Sequence, residues 1–127
     1  MNGAEIFSLA GSRHVATSEE LALALRERSR GANHFEISPS PPRFPILTLM
    51  VNGDYAVLHY FSSADDIGAQ SRANLHAVPS VVDFPDPGGA VVTLSGSAVV
   101  DVVSAERCAV EFVTSWDRPA GVEWRVL

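Results

Sequence analysis

Apolar residues recur along the chain either at helical spacing or in strict alternation, and the change between the two periods marks out its elements. Ile6, Phe7 and Leu9 predict a short first strand. Thr17-Ser18-Glu19-Glu20 is a capping box, with Thr17 as N-cap and Glu20 at the third helical position. The helix it opens runs to about Ser29, buries Leu21, Ala24, Leu25 and the stem of Arg28, and has Gly31 placed to end it. Phe35 and Ile37 alternate with His34, Glu36 and Ser38 as a short strand, after which Pro39, Pro41, Pro42 and Pro45 impose an extended loop.

The strongest local signal is Asn52-Gly53 between two alternating runs, which predicts a hairpin from Pro45 to Phe61 with both turn residues at positive φ. A two-residue turn there pairs Val51 with Asp54, Leu49 with Ala56 and Leu47 with Leu58, so these residues and Tyr60 share one face. Met50, Thr48, Ile46, Tyr55, Val57, His59 and Phe61 share the other. Both faces are substantially apolar, so the hairpin is expected at the centre of a sheet, with helix on one side and a different cover on the other.

A second hairpin is expected from Ala90 to Val103, turning at Ser95-Gly96. Between the two hairpins, Ser62 to Gly89 reads as a long Asp- and Pro-rich loop in which Ala77 to Phe84 forms a brief edge strand. Near the end of the chain Ser104 caps a helix whose stripe is Ala105, Cys108, Ala109, Phe112, Val113 and Trp116. Asp117-Arg118-Pro119-Ala120-Gly121 ends it, and Val122, Trp124 and Val126 alternate as a half-buried strand. The fold class that follows is α+β: a mostly antiparallel sheet of five to seven strands with two helices packed on one face. Phe112, Trp116 and Trp124 are expected in one core.

Length and composition narrow this further. The chain of 127 residues reads as one domain, and its 46% hydrophobic and 19% charged content is that of a globular protein. A net charge of -6 argues against direct binding of nucleic acid and suits either solubility or a basic protein partner. All nine basic residues are Arg, a compositional bias from which no function is read. The lone Cys108 sits on the apolar helix face and reads as a packed thiol. Met1 to Glu5 lacks a basic segment followed by an apolar run, and no stretch is long and apolar enough for a membrane span, so a cytoplasmic protein is expected.

Catalytic and metal chemistry find little support. His34-Phe35-Glu36 matches the first half of the zinc deaminase signature, but the second half needs a pair of thiolates and the chain has one Cys. His34 and Glu36 therefore read as the polar face of a strand. His14, His59 and His76 show no metal-ligand spacing, and neither G-x-S-x-G nor a phosphate-binding glycine motif occurs. No cofactor is expected, and no metal.

The carboxylates remain. Asp54 lies beside the first turn, Asp65 and Asp66 open the long loop, and Asp83-Phe84-Pro85-Asp86 sets an aromatic between two acids. Asp belongs in turns because its side chain bonds nearby amides, which accounts for each singly. Taken together, Asp54, Asp65, Asp66, Asp83, Phe84 and Asp86 also make an acidic, partly aromatic surface suited to a basic protein.

An apolar helix carrying Glu111-Phe112, then a polar turn with Arg118-Pro119, then Val122-Glu123-Trp124 resembles the first-described immunity protein family of bacterial polymorphic toxin systems. The motif occupies about the last fifth of the chain, and the length and order of elements upstream agree with it. The resemblance implies a single immunity-protein-like domain over residues 1–127. It also implies a small cytoplasmic antidote that performs no chemistry and binds a cognate secreted toxin domain, often a nucleic-acid deaminase. The acidic residues above would then face that toxin. Two rivals from other classes are a ligand-binding domain or enzyme whose pocket, between helices and sheet, is lined by His59 and Tyr55, and a subunit that dimerises through a sheet edge.

Overall fold

The computed structural model describes residues 3–28 and 31–127. The chain opens with a hairpin, β1 (Ala4–Ser8) and β2 (Gly11–Val15). Hydrophobic patterning does not announce β2, because Gly11 to His14 are all exposed. Helix α1 (Ser18–Ala24) starts as its sequence dictates: the Thr17 hydroxyl accepts the Glu20 amide at 3.1 Å. The Glu20 carboxylate reaches back one residue further than in the usual box, to the Ala16 amide at 3.2 Å. The helix is shorter than expected. Arg26 and Glu27 close with tighter i to i+3 bonds, and the side-chain amide of Asn33 takes the Glu27 carbonyl at 2.6 Å. Ser29, the expected terminus, lies outside the described residues.

Three long strands follow, β3 (Ala32–Pro39), β4 (Ile46–Asn52) and β5 (Tyr55–Phe61). The expected hairpin is there, but its pairing is shifted: Val51 opposes Ala56, Leu49 opposes Leu58 and Leu47 opposes Tyr60. The turn residues are Gly53 and Asp54, and only Gly53 (φ +60°) takes positive φ, as in a type II′ turn rather than I′. A shift of two residues in the partner leaves side-chain parity intact, so the face assignment survives. Leu47, Leu49, Val51, Ala56 and Leu58 join the helix-side core, and Met50 and Val57 join a separate cluster on the other side.

The remaining strands are β6 (Ala69–Ser71), β7 (Val81–Pro85), β8 (Val91–Ser95), β9 (Val100–Asp101) and β10 (Trp124–Val126). The main sheet runs β10-β6-β5-β4-β3-β1-β2, antiparallel throughout, with β9 also paired to β5. That makes eight strands, more than the seven expected. β6 and β9 share one edge of β5, the first against His59 and Tyr60 and the second against Tyr55 and Ala56.

The second expected hairpin does not form. β8 pairs with β7 as a two-stranded sheet of its own, and a 3-10 turn at Gly96–Ala98 carries the chain back to β9. Gly96 is there for close approach instead of for a hairpin: a Cβ on it would collide with the Pro79 carbonyl, and its amide donates to the Ser80 carbonyl at 2.8 Å. The last helix, α2 (Val102–Ser115), starts earlier than Ser104 because the Asp101 carboxylate is its cap, accepting the Ser104 amide at 2.9 Å and hydroxyl at 2.6 Å.

Both helices lie on one face of the sheet. Leu21, Ala24 and Leu25 of α1 and Ala105, Cys108, Ala109, Phe112 and Val113 of α2 pack with Ile6, Phe35, Ile37 and the helix-side residues of β4 and β5. Arg28 ties the layers together, donating to Glu106 at 2.8 Å and to the Gly53 carbonyl at 3.1 Å. Burial, with the nearby Glu111 charge, pushes the Cys108 thiol up to about 11, which suits a packed and unreactive side chain.

At the end of α2, Trp116 adopts the left-handed conformation (φ 58°, ψ 24°) that glycine usually supplies. Its indole meets Phe112 edge to face at 5.2 Å, Phe112 meets Tyr60 at 6.1 Å, and Tyr60 meets Trp124 at 6.5 Å. The expected aromatic grouping is therefore present, with Tyr60 joining the two tryptophans through Phe112.

Candidate partner-binding surface

The sheet face turned away from the helices is only partly covered. Val82 and Phe84 of β7 and Val92 and Leu94 of β8 close over Met50, Val57 and Tyr55, forming a second apolar cluster with Ala98 and Val99. The small sheet is held there by polar links, Asn52 Nδ2 donating to the Asp83 carbonyl at 2.9 Å and His34 Nδ1 to the Pro85 carbonyl at 3.1 Å. Donation from Nδ1 leaves Nε2 of His34 as an acceptor, and burial pushes the ring's pKa below its ordinary value, keeping it neutral.

Beyond this cover a row of side chains crosses the sheet, set by register alone: Arg125, Gln70, His59, Thr48, Glu36, Phe7 and Ser12. Arg125 donates to Gln70 Oε1 at 2.9 Å, which turns the amide nitrogen toward His59 Nε2 at 3.1 Å. His59 must accept there, so its proton sits on Nδ1, and burial together with His34 lowers its pKa. Further along the same face the Glu5 carboxylate is held by His14 at 3.0 Å and Ser40 at 2.8 Å, bonds that lower its pKa.

Where the small sheet ends against β1 there is a crevice of about 70 Å³, lined by Phe7, Ser8, His34, Glu36 and Pro87. The larger hollows, about 410 to 500 Å³, are open grooves along the β6–β10 edge. His59 and Tyr55 lie on the face opposite the helices, so the pocket expected between helices and sheet is not lined by them. Among the described residues no group of His, Cys, Asp or Glu could hold a metal ion, and no helix is long and apolar enough to cross a membrane.

The acidic residues picked out by sequence do not form one patch. Asp54 and Asp83 lie at one end of β5 and Asp65 and Asp66 beyond the other, roughly 25 Å away at strand spacing. Asp66 organises its own loop, accepting the Ser62 amide, the Ser62 hydroxyl and the Gly68 amide at 2.9 Å each, which depresses its pKa. Asp86 does the same for the β7–β8 turn through the amides of Gly88 (2.8 Å) and Ala90 (3.0 Å). Phe84 corrects the sequence reading outright: at 2% exposure it is a core residue beneath the small sheet, unavailable to a partner. Asp54, Asp65 and Asp83 remain exposed, with Asp83 accepting from the Thr93 hydroxyl.

Sequence reasoning missed the crevice. Glu36 was legible as a polar strand residue, but Pro87 reaches it only because β8 pairs with β7, a pairing that the apparent Ser95-Gly96 turn conceals.

The residues carrying the family resemblance have structural work to do. Glu111 accepts the Ala120 amide at 2.6 Å, Trp124 Nε1 donates to the Pro119 carbonyl at 2.7 Å, and the Arg118 guanidinium lies 6.0 Å from the Trp124 ring. A Cβ on Gly121 would press on the Cys108 sulfur at 3.1 Å. Together they fasten the α2–β10 connection to helix and sheet, which gives this motif a role in the fold. No curated protein sequence gives a significant match. The family model described as Immunity protein Imm1 matches residues 10–126, nearly the whole chain, and the protein belongs to that immunity protein family.

Proposed function

We propose that this chain is the antidote to a secreted toxin domain encoded beside it, that it acts by direct binding in the cytoplasm as a single domain, and that the toxin is a nucleic-acid deaminase. The observation that carries the reading is the family match over residues 10–126. Charge supports the choice of toxin. An enzyme acting on nucleic acid needs a basic groove, and a partner with net charge -6 is drawn to such a groove by long-range attraction. Asp54, Asp65 and Asp83 contribute exposed carboxylates to that attraction, while the uncovered sheet face supplies polar and aromatic contact area. Inhibition requires no chemistry from this chain, only occlusion of the toxin's groove.

Co-expression with the neighbouring toxin gene tests the reading. The expected result is a stable complex, protection of the cells, and stoichiometric suppression of base deamination in the toxin's nucleic-acid substrate. A toxin that kills without deaminating any base sinks the choice of toxin class. A toxin that neither binds this chain nor is neutralised by it sinks the antidote itself.

A further inference from the structure

Resting on that reading, we propose that the crevice between Phe7 and Pro87 receives the guanidinium of one arginine of the toxin, with Glu36 as its counter-ion. Glu36 is the carboxylate on this face left without a task. Glu5 is bonded to His14 and Ser40, and Asp86 to the amides of its own turn, whereas the carboxylate of half-buried Glu36 makes no hydrogen bond or ion pair with any described residue. A carboxylate set partly out of water gains most from a charge-assisted, two-pronged donor.

The walls select the shape of that donor. Phe7 faces Glu36 directly across the β1–β3 pairing and is 39% exposed, so its ring can take a planar cation stacked on it. His34 offers an acceptor at Nε2 and no competing donor, because its Nδ1 proton is spent on Pro85. The crevice, about 70 Å³, has room for a flat guanidinium head laid between Phe7 and Pro87. Lysine would fill it less well, having no plane to lay on Phe7 and no fork to match the carboxylate. The opposite wall is fixed in advance. Asp86 clamps the turn carrying Pro87 through four hydrogen bonds, two to its carboxylate and two through its backbone, so little ordering is left for the moment of binding.

The test measures binding kinetics of the full chain with the neighbouring toxin domain, the toxin carrying a disabled active site. Glu36→Gln should raise Kd by about tenfold to a hundredfold, mainly through faster dissociation. Phe7→Leu should raise it less, and Glu36→Asp should fall between Glu36→Gln and the parent. Melting of each variant, measured alongside, confirms that it is folded. Substituting the toxin's arginines one at a time by lysine should find one whose loss weakens binding to the parent but not to Glu36→Gln. If the parent binds and protects while Glu36→Gln does so equally well, or if no toxin arginine couples to Glu36, the crevice is not an arginine site although the antidote reading stands. If the parent fails to bind the toxin, that reading fails and takes this inference with it.

Discussion

On the helix side of the sheet Leu47, Leu49, Phe35 and Ile37 are sealed under α1 and α2; on the other side their strand neighbours Thr48, His34 and Ser38 are buried too, but Glu36 stays partly exposed where the cover ends. The two faces come from the same strands, one residue out of phase. Their difference sets a sealed apolar core on one face against a partly open, more polar surface on the other. One face puts its side chains into a continuous core, where any polar group would need a partner. The other buries Met50, Val57, His34 and Thr48 and then changes to Glu36, His59 and Gln70, polar groups that keep part of their surface in water. The alternation of a β-strand supplies both kinds of surface from a single layer.

The largest expected effects test this division directly. Phe112→Ala, at the centre of the helix-side core, should cost about 3 to 5 kcal/mol, and Phe84→Ala, under the small sheet, should fall in the same range. Phe61→Ala, on the uncovered part of the face, should cost much less. Denaturant unfolding of the three variants is the measurement, and a Phe61 loss equal to that of Phe112 would remove the distinction between the faces.

A second effect concerns pH. Burial holds His34 and His59 below the ordinary histidine value of 6.5, so the unfolded chain binds protons that the folded chain refuses. Their contribution is therefore present in full above about pH 6.5 and is lost as pH falls from there through their folded values. Glu5, Asp66 and Asp101, whose pKa values are lowered by hydrogen bonds, add stability above the ordinary carboxylate range that is lost only in stronger acid. Unfolding free energy measured from pH 8 to pH 3 should fall in two stages. A flat profile between pH 7 and pH 5 would show that burial on this side of the sheet does not hold His34 and His59 neutral.

How much of this was legible in the sequence depends on whether the signal was local. Strand parity around Asn52-Gly53, the Thr17 cap and the α2 stripe rest on neighbours in sequence, and they emerged nearly intact. Gly96 and Pro87 rest on distant partners. Gly96 looks like a turn residue, yet its missing Cβ serves the approach of Pro79, and that single difference moves β8 from β9 to β7 and builds the cover of the second face. Phe84 then passes from candidate contact to core. Asp66 and Asp86 were ambiguous for a different reason: a turn carboxylate and a partner-binding carboxylate look alike until the amides around them are placed.

The reach of backbone strain into the helix-side core can be sharpened at Trp116. Replacing it removes packing on Phe112 whether the new residue is Ala or Gly, but Ala keeps a Cβ in the left-handed region and Gly does not. Trp116→Gly should therefore be more stable than Trp116→Ala by about 1 kcal/mol, read from paired denaturant curves. Equal stabilities would mean that the variants leave the left-handed conformation, so that Trp116's own packing is what imposes it.

The smallest expected change in stability comes from Arg125→Ala, an exposed substitution at the margin of the uncovered face, which should shift unfolding free energy by under about 0.5 kcal/mol. Its value lies in what it does to His59. Arg125 fixes Gln70 with Oε1 toward the guanidinium and Nε2 toward His59, and that orientation forbids a proton on His59 Nε2. Without the guanidinium the amide is free to turn over and accept from His59, which allows the imidazolium a hydrogen bond it lacks in the parent. The pKa of His59 should therefore rise. Titration of the ring by NMR reads both the pKa and the tautomer. If His59 in the variant titrates as in the parent, with its proton still on Nδ1, then Arg125 does not set the protonation of this face and burial beside His34 is sufficient by itself.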